Sequence, residues 1–306
     1  MIDIEFDLCK HIDTGDNGYN GCIETYDKNS FVYFYRWEKN VCLPPFHINF
    51  GFISKDGDLD GEVPILNLNE GRKGSQSQSD TYIGEYDPRI IRYGRHDEQE
   101  YVLFSTFNKE IHNRFFTIKN KIVYFSKSST LRLMNFTAQE QEKNWMPFIY
   151  KDDLYMVYSI KPHVIVRFYR SGICEKIYES VPSINWEWGN LSGGTQAVKI
   201  NDEEYLTFFH SFLSPDRANN RVPRQYFIGA YTFEAKPPFR ILRMTPEPLV
   251  WNALYQTFSE SPHIVVFPAG LVNEDGIISM TYGDNDGATY LTKFPVQRIL
   301  NTMKFL

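Results

Sequence analysis

The sequence predicts an all-β protein built as a five-bladed β-propeller, and three observations carry that expectation. Aromatic residues make up 16% of the 306-residue chain, with 24 Phe and 20 Tyr, a usage that suits the faces of packed strands. Long apolar repeats at helical spacing are missing. A short pattern also recurs five times: turn-forming Asp, Asn, Glu or Gly, then four or five apolar or aromatic residues, then a polar one.

The first copy runs from Asn29-Ser30 into Phe31-Val32-Tyr33-Phe34-Tyr35-Arg36. The second leads from Gln99-Glu100 through Tyr101 and Phe104 to Ser105, and the third from Asp152-Asp153 through Leu154 and Tyr158 to Ser159. The fourth passes from Asp202-Glu203-Glu204 through Tyr205 and Phe209 to His210, and the fifth from Asp275-Gly276 through Ile277 and Thr281 to Tyr282. Runs this short, bounded by turn residues, read as buried strands rather than helices. Successive copies lie roughly 50 to 70 residues apart, about the length of a four-stranded blade with its loops. The last three follow a second apolar run, at Trp145 to Tyr150, Thr195 to Ile200 and His263 to Pro268, so each pair reads as a hairpin. On that reading Arg36, Ser105, Ser159, His210 and Tyr282 collect at one mouth of a central channel.

Two stretches interrupt the pattern. Residues 71–80 are polar and rich in Gly and Ser, which predicts a mobile surface loop. Ser214 to Arg224, with three Arg, two Pro and two Asn, predicts a second long loop. Neither reads as a linker, so residues 1–306 are expected to form a single catalytic domain.

A net charge of −6 without a dense basic block argues against nucleic acid as a partner. Cys9, Cys22, Cys42 and Cys174 lack CxxC spacing and nearby His partners, so neither a zinc site nor a disulfide framework is expected. The N-terminus is acidic where a signal peptide is basic and then apolar, and no stretch reaches transmembrane length. A cytoplasmic protein with no membrane partner is the expectation, in which the acceptor patterns at Asn135 and Asn190 stay unglycosylated.

The chemistry centres on Tyr86-Asp87-Pro88-Arg89. Pro88 restricts Asp87 to extended or turn geometry and so aims its carboxylate, and Arg89 supplies a permanent cation that can brace that carboxylate or a substrate anion. Lys143, Asn144, His163, His210 and Asp286 are the other polar candidates. Each also has an ordinary reading: His210 as a hydrogen-bonded core histidine, Lys143 as a solvated lysine, Asp284 and Asp286 as turn formers or a divalent-metal site, and His163 as a supporting residue.

Taken in order, Gly84 to Ile90, Glu142-Lys143-Asn144-Trp145, Gly193-Gly194-Thr195, Phe208-Phe209-His210-Ser211, Val266 to Gly270 and Tyr282-Gly283-Asp284-Asn285-Asp286 resemble the signatures of glycoside hydrolase family 130. That family comprises inverting β-mannoside phosphorylases and some hydrolases on a five-bladed propeller, with related β-1,2-mannosyltransferases. The resemblance covers the chain from about Phe31 onward, and its specificity lies in the ordered set. It implies that Asp87 is the proton-handling carboxylate, reaching the glycosidic oxygen directly or through a sugar hydroxyl. It places Lys143 and His210, with Arg36, at a phosphate, and Asp286 and Tyr282, with Arg89, Asn144 and His163, around the sugar. It requires no cofactor or metal beyond inorganic phosphate or a sugar 1-phosphate as co-substrate. Two features depart from the family pattern: Tyr86 stands where an acidic residue is common, and the arginines that usually accompany the phosphate have no evident match.

The implied function is an inverting β-mannoside phosphorylase or a mannosyltransferase acting through mannose 1-phosphate. An inverting hydrolase needs two carboxylates roughly 6.5–9.5 Å apart, which would call on Asp286 or Glu142. Phosphate is already a nucleophile, so a phosphorylase works with one carboxylate and a cationic site. A nucleotide-sugar-dependent mannosyltransferase and a non-catalytic glycan-binding propeller are the remaining alternatives.

Overall fold

The structure, a computed structural model, describes the chain except residues 16–17, 39–45, 61–65, 68–84, 95–99, 108, 127–128, 214–222 and 259–262. The loop expected at residues 71–80, most of the loop expected from Ser214 to Arg224, and Cys42 lie outside the described residues. Cys9, Cys22 and Cys174 are free thiols.

The protein is all-β with a propeller-like arrangement. Its described strands form five hydrogen-bonded sheets, and each of the five recurring runs is a strand of a different one. These strands are Ser30–Glu38, Glu100–Phe107, Asp153–Ser159, Glu204–Leu213 and Ile277–Asp284. Each pairs antiparallel with the strand preceding it in its sheet: Gly18–Thr25, Tyr86–Arg92, Met146–Tyr150, Asn190–Gly193 with Val198–Lys199, and Val266–Glu274. Contacts between these leading strands bring the sheets together around a common axis.

Local chemistry explains the hairpins. Lys151 and Asp152 join Tyr150 to Asp153 with φ of 50° and 64°, and Asp275 and Gly276 join Glu274 to Ile277 with φ of 51° and 85°. Two consecutive positive φ values are what a tight hairpin matching strand twist requires, and Asp, Asn and Gly tolerate them best.

The core lies between sheets, in five apolar clusters that alternate with them around the ring. The cluster holding Ile23, Phe31 and Tyr33 with Val272 and Leu291 joins the last sheet to the first. Phe148, fully buried, meets the rings of Tyr155, Tyr205, Phe233 and Phe239 at centroid distances of 5.2–5.6 Å. Burying one such ring stabilises the fold by about 1.5–3 kcal/mol.

Regular blades among the described residues number four, not the five expected. These have four or five strands, while the fourth sheet along the chain is an eight-stranded composite that also takes in Ile2–Asp3 and Lys304–Phe305. Near the other edge of the ring, Leu8–His11 pairs antiparallel with Ala288–Pro295 and forms the outer strand of the last sheet. No helix among the described residues is long and apolar enough to cross a membrane.

Candidate active site

Backbone irregularities at the starts of the leading strands build the site. The register between Tyr86–Arg92 and its partner shifts between Tyr86 and Arg89, leaving Asp87 and Pro88 in a bulge that re-aims the side chain. Asp87 has φ of 52°, so the turn set by Pro88 is left-handed rather than extended, a conformation costly for a non-glycine residue and common at functional positions. A second shift, between Tyr19 and Cys22, frees Asn20, also at φ 52°. Gly21 is required there because a Cβ would lie 2.2 Å from the Tyr33 ring. Asn144 takes φ of 62°, and its carbonyl oxygen would sit 1.9 Å from any Cβ placed on Gly193. The hairpin turn after Ile277–Asp284 presents Asp286, at φ 49°.

Asp87 projects beside Arg36, with Oδ1 3.6 Å from the guanidinium, and that oxygen is buried without a hydrogen bond among the described residues. Arg36 also pairs with Glu38, a carboxylate with no exposed surface that accepts a hydrogen bond from the Tyr19 hydroxyl. Burial opposes the charge on Arg36, but Tyr19, Asp87, Glu38 and Asp286 outweigh it and hold the guanidinium above its ordinary value. Asp286 accepts a hydrogen bond from Asn20 at 3.4 Å. Burial pushes its carboxyl up to about 6, with Arg36 lowering it and Asp87 raising it.

A second group forms around Arg89, on which Asp87 acts and whose charge reaches the His210 ring. Arg89 is buried, donates to the carbonyls of Gly194 and Pro88, and lies over the Phe267 ring at 4.7 Å. Burial lowers its affinity for the proton while Asp87 raises it, and Nη2 has no hydrogen bond among the described residues. His210 is buried against Phe267, with ring centroids 4.7 Å apart, and stacks on Tyr226. Burial, then Lys143 and Arg89, depress its imidazole to about 3, with a backbone hydrogen bond at Gly193 opposing. His210 is therefore neutral at physiological pH and adds no positive charge to the site. Tyr226 connects the two groups: burial raises its hydroxyl pKa, Arg224 lowers it, and both Asp286 and Asp87 raise it.

The structure thus gathers Arg36, Asp87, Arg89, His210 and Asp286, with Lys143 exposed nearby and in electrostatic reach of the His210 ring. Asn144 joins through the main chain, its side chain donating to Ser192 at 2.9 Å. Tyr282 and His163 are held elsewhere. Tyr282 is fully buried, accepts a hydrogen bond from Trp251 at 3.0 Å and stacks on Tyr290. His163 is buried among Tyr231 and Phe233, and burial takes its imidazole down to about 3. Ser105 is bonded to Glu85, and Ser159 to the Pro162 carbonyl. Asp284 accepts the backbone N–H groups of Tyr255 and Thr257, the role of a turn former. Glu142 is occupied by Trp145, Tyr158 and the Gln139 backbone, which leaves Asp286 as the second carboxylate facing Asp87.

Sequence reasoning missed Tyr19, Asn20, Glu38 and Tyr226. Glu38 was within reach, because residues two apart share a strand face and a carboxylate so placed pairs with Arg36.

Residues 3–305 match the family model of glycoside hydrolase family 130, described as beta-1,4-mannooligosaccharide phosphorylase. The chain belongs to this family. Family 130 makes it a carbohydrate-active enzyme related to mannoside phosphorylases and mannosyltransferases. Among curated proteins, it is 34% identical over 138 residues to Beta-mannosyltransferase 3 of Komagataella phaffii, a match covering 41% of this chain and 23% of that protein. The match therefore spans under a quarter of that relative's length. Among solved structures, a putative glycoside hydrolase from Bacteroides ovatus superposes with a TM-score of 0.65 at 15% identity, covering 93% of this chain and 88% of that one. The beta-1,2-mannobiose phosphorylase of Listeria innocua gives 0.57 at 13% identity, covering 97% and 93%. At these identities the two structures speak for the fold of this family-130 chain.

Proposed function

We propose that this family-130 protein is an inverting β-mannoside phosphorylase or a mannosyltransferase of the same chemistry, working through mannose 1-phosphate with Asp87 as general acid and base. Asp87 Oδ1, buried without a hydrogen bond among the described residues and 3.6 Å from Arg36, carries the reading, because a carboxylate kept available in a fixed position is what proton transfer needs. The eight-stranded sheet counts as the fifth blade of the propeller.

Two poles divide the labour. At one, Asn20, Arg36 and Asp286 hold the mannosyl unit, with Arg36 offsetting three carboxylates. At the other, Lys143 and Arg89 bind phosphate, two cations that both act on the buried His210 ring. The two arginines thereby exchange the roles expected from sequence. Neutral His210 contributes a hydrogen bond rather than charge. In phosphorolysis a phosphate oxygen forms a bond to C1 from the face opposite the leaving group, and the C1–O bond breaks as Asp87 donates its proton to the glycosidic oxygen or through a sugar hydroxyl. In synthesis Asp87 receives the acceptor's proton as mannose 1-phosphate loses phosphate.

Purified protein should release mannose 1-phosphate from β-mannosides when phosphate is supplied, and Asp87→Asn should reduce the rate by about 10²–10⁴ while retaining mannose 1-phosphate binding. Equal turnover by Asp87→Asn would refute the assignment. One observation favours hydrolysis instead: Asp286, raised to about 6 and electrostatically coupled to Asp87, could serve as a base toward water. Free mannose produced at an unchanged rate without phosphate would establish that alternative.

A further inference from the structure

The far ends of the leading strands, opposite Asp87, come together as a second mouth. Glu24 lies four residues beyond Asn20, and Arg92 five beyond Asp87, which separates the two mouths by about 13–17 Å of extended chain. Tight packing fills the space between them. Gly270 approaches Ile23 so closely that a Cβ would lie 2.5 Å from its nitrogen, and Arg89 spans to Gly194.

A cavity of about 430 Å³ opens at the second mouth, lined by residues from the ends of the leading strands. That volume lies in the roughly 300–1,000 Å³ range of small-molecule sites. Gln196 lines it and is buried at 1% exposure. Its amide nitrogen is fixed on the Ile23 carbonyl at 2.9 Å, while Oε1 has no partner among the described residues. An acceptor locked in this way and left unsatisfied signals a missing donor.

Charge narrows the class of that donor. Glu274 is paired with Lys55 at 2.5 Å, and Lys199 with Asp202 at 2.8 Å. Glu24 accepts the Thr25 and Arg92 backbone N–H groups at 2.9 and 3.2 Å, and the positive side chains of Arg92 and Lys55 act on it. The carboxylates are thus balanced by cations, and neither an anion nor an ammonium group is selected. Burial raises the Glu24 carboxyl to about 7, so near neutral pH it can both donate and accept a hydrogen bond, as a hydroxyl does. Ile91, Ile149, Val198 and Leu271 add apolar wall, which suits the C–H faces of a ring.

We propose that this second mouth is a binding site for a neutral polyhydroxylated ring of hexose size, held by Gln196 and Glu24. The site is separate from the Asp87 centre and does not depend on the reaction assigned to it.

The test is a ¹⁹F NMR titration with 2-deoxy-2-fluoro-D-mannose. Asp286→Ala removes sugar binding at the Asp87 mouth, so binding retained by this variant reports the second mouth. Adding Gln196→Leu should weaken the retained binding at least tenfold, and adding Val198→Phe, which fills the cavity from its wall, should abolish it. If circular dichroism shows that Gln196→Leu fails to fold, the Val198→Phe arm decides. Absence of binding to Asp286→Ala, or binding unaffected by the cavity variants, would overturn the proposal by leaving the cavity to water. Tighter binding of mannose 1-phosphate or ethylammonium than of the neutral sugar at this mouth would overturn the ligand class. The single Gln196→Leu variant should retain phosphorolysis, which separates failure here from failure at Asp87.

Discussion

Asp286→Asn removes one charge and almost no volume from the centre of the site, and its effect on stability can be worked out with its sign. The folded state holds this carboxyl at about 6 against an ordinary 3.8, mainly through burial. Between those values the folded protein binds a proton that the unfolded chain has released, so stability falls as pH rises through that window. Above about pH 6 the native state carries the full cost of the buried charge. That cost is about 2–3 kcal/mol, the lower figure allowing for the part of the side chain that reaches water. Asparagine carries no such cost and retains a partner for Asn20. Urea unfolding should therefore show Asp286→Asn more stable than the parent by about 2–3 kcal/mol at pH 7.5, with the gain shrinking toward zero near pH 4. Catalytic activity should be lost at every pH. A variant less stable than the parent at pH 7.5, or a gain independent of pH, would refute the reasoning, because the Arg36 attraction would then exceed the penalty of burial.

Two further outcomes follow from the packing. Gly193→Ala would place a Cβ 1.9 Å from the Asn144 carbonyl oxygen; relieving that overlap should cost about 1–3 kcal/mol and displace Lys143, so the thermal midpoint should fall and KM for phosphate should rise, whereas unchanged phosphate kinetics would separate Lys143 from the anion. Tyr282→Phe deletes the acceptor for Trp251 and should cost roughly 1 kcal/mol of stability while leaving kcat/KM within about twofold; a large kinetic loss would return Tyr282 to the sugar pocket.

The strands were legible and their facing was not. All five recurring runs became strands of separate sheets because their length and bounding turns suit nothing else. Asp87, Asn144 and Asp286 could be found because each sits at a break in a strand, where Pro, Asn or Gly announces the irregular backbone. The family resemblance puts Tyr282 and His163 at the sugar, yet each ends or begins an apolar run. In such runs both faces are buried, so no alternation tells which face meets the site. For Tyr282 the face turned to Trp251 and Tyr290, and for His163 to Tyr231 and Phe233. For His210 the sequence shows neither the burial nor the converging cations that the fold creates and that keep the imidazole neutral. Tyr226 comes from another strand of the composite sheet and carries no local mark. The unequal sheets went unforeseen because Ile2–Asp3 and Lys304–Phe305 are two-residue strands, too short to show a period.

The pairing of residues 8–11 with 290–293 bears on how the molecule is made. At about 5–20 residues per second of synthesis, the first of these segments waits on the order of 15–60 s before its partner leaves the ribosome. Throughout that interval the nascent chain holds an unpaired edge, a hazard for association with neighbouring chains. Lys10, in the middle of the waiting strand, places a charge where such an association would begin.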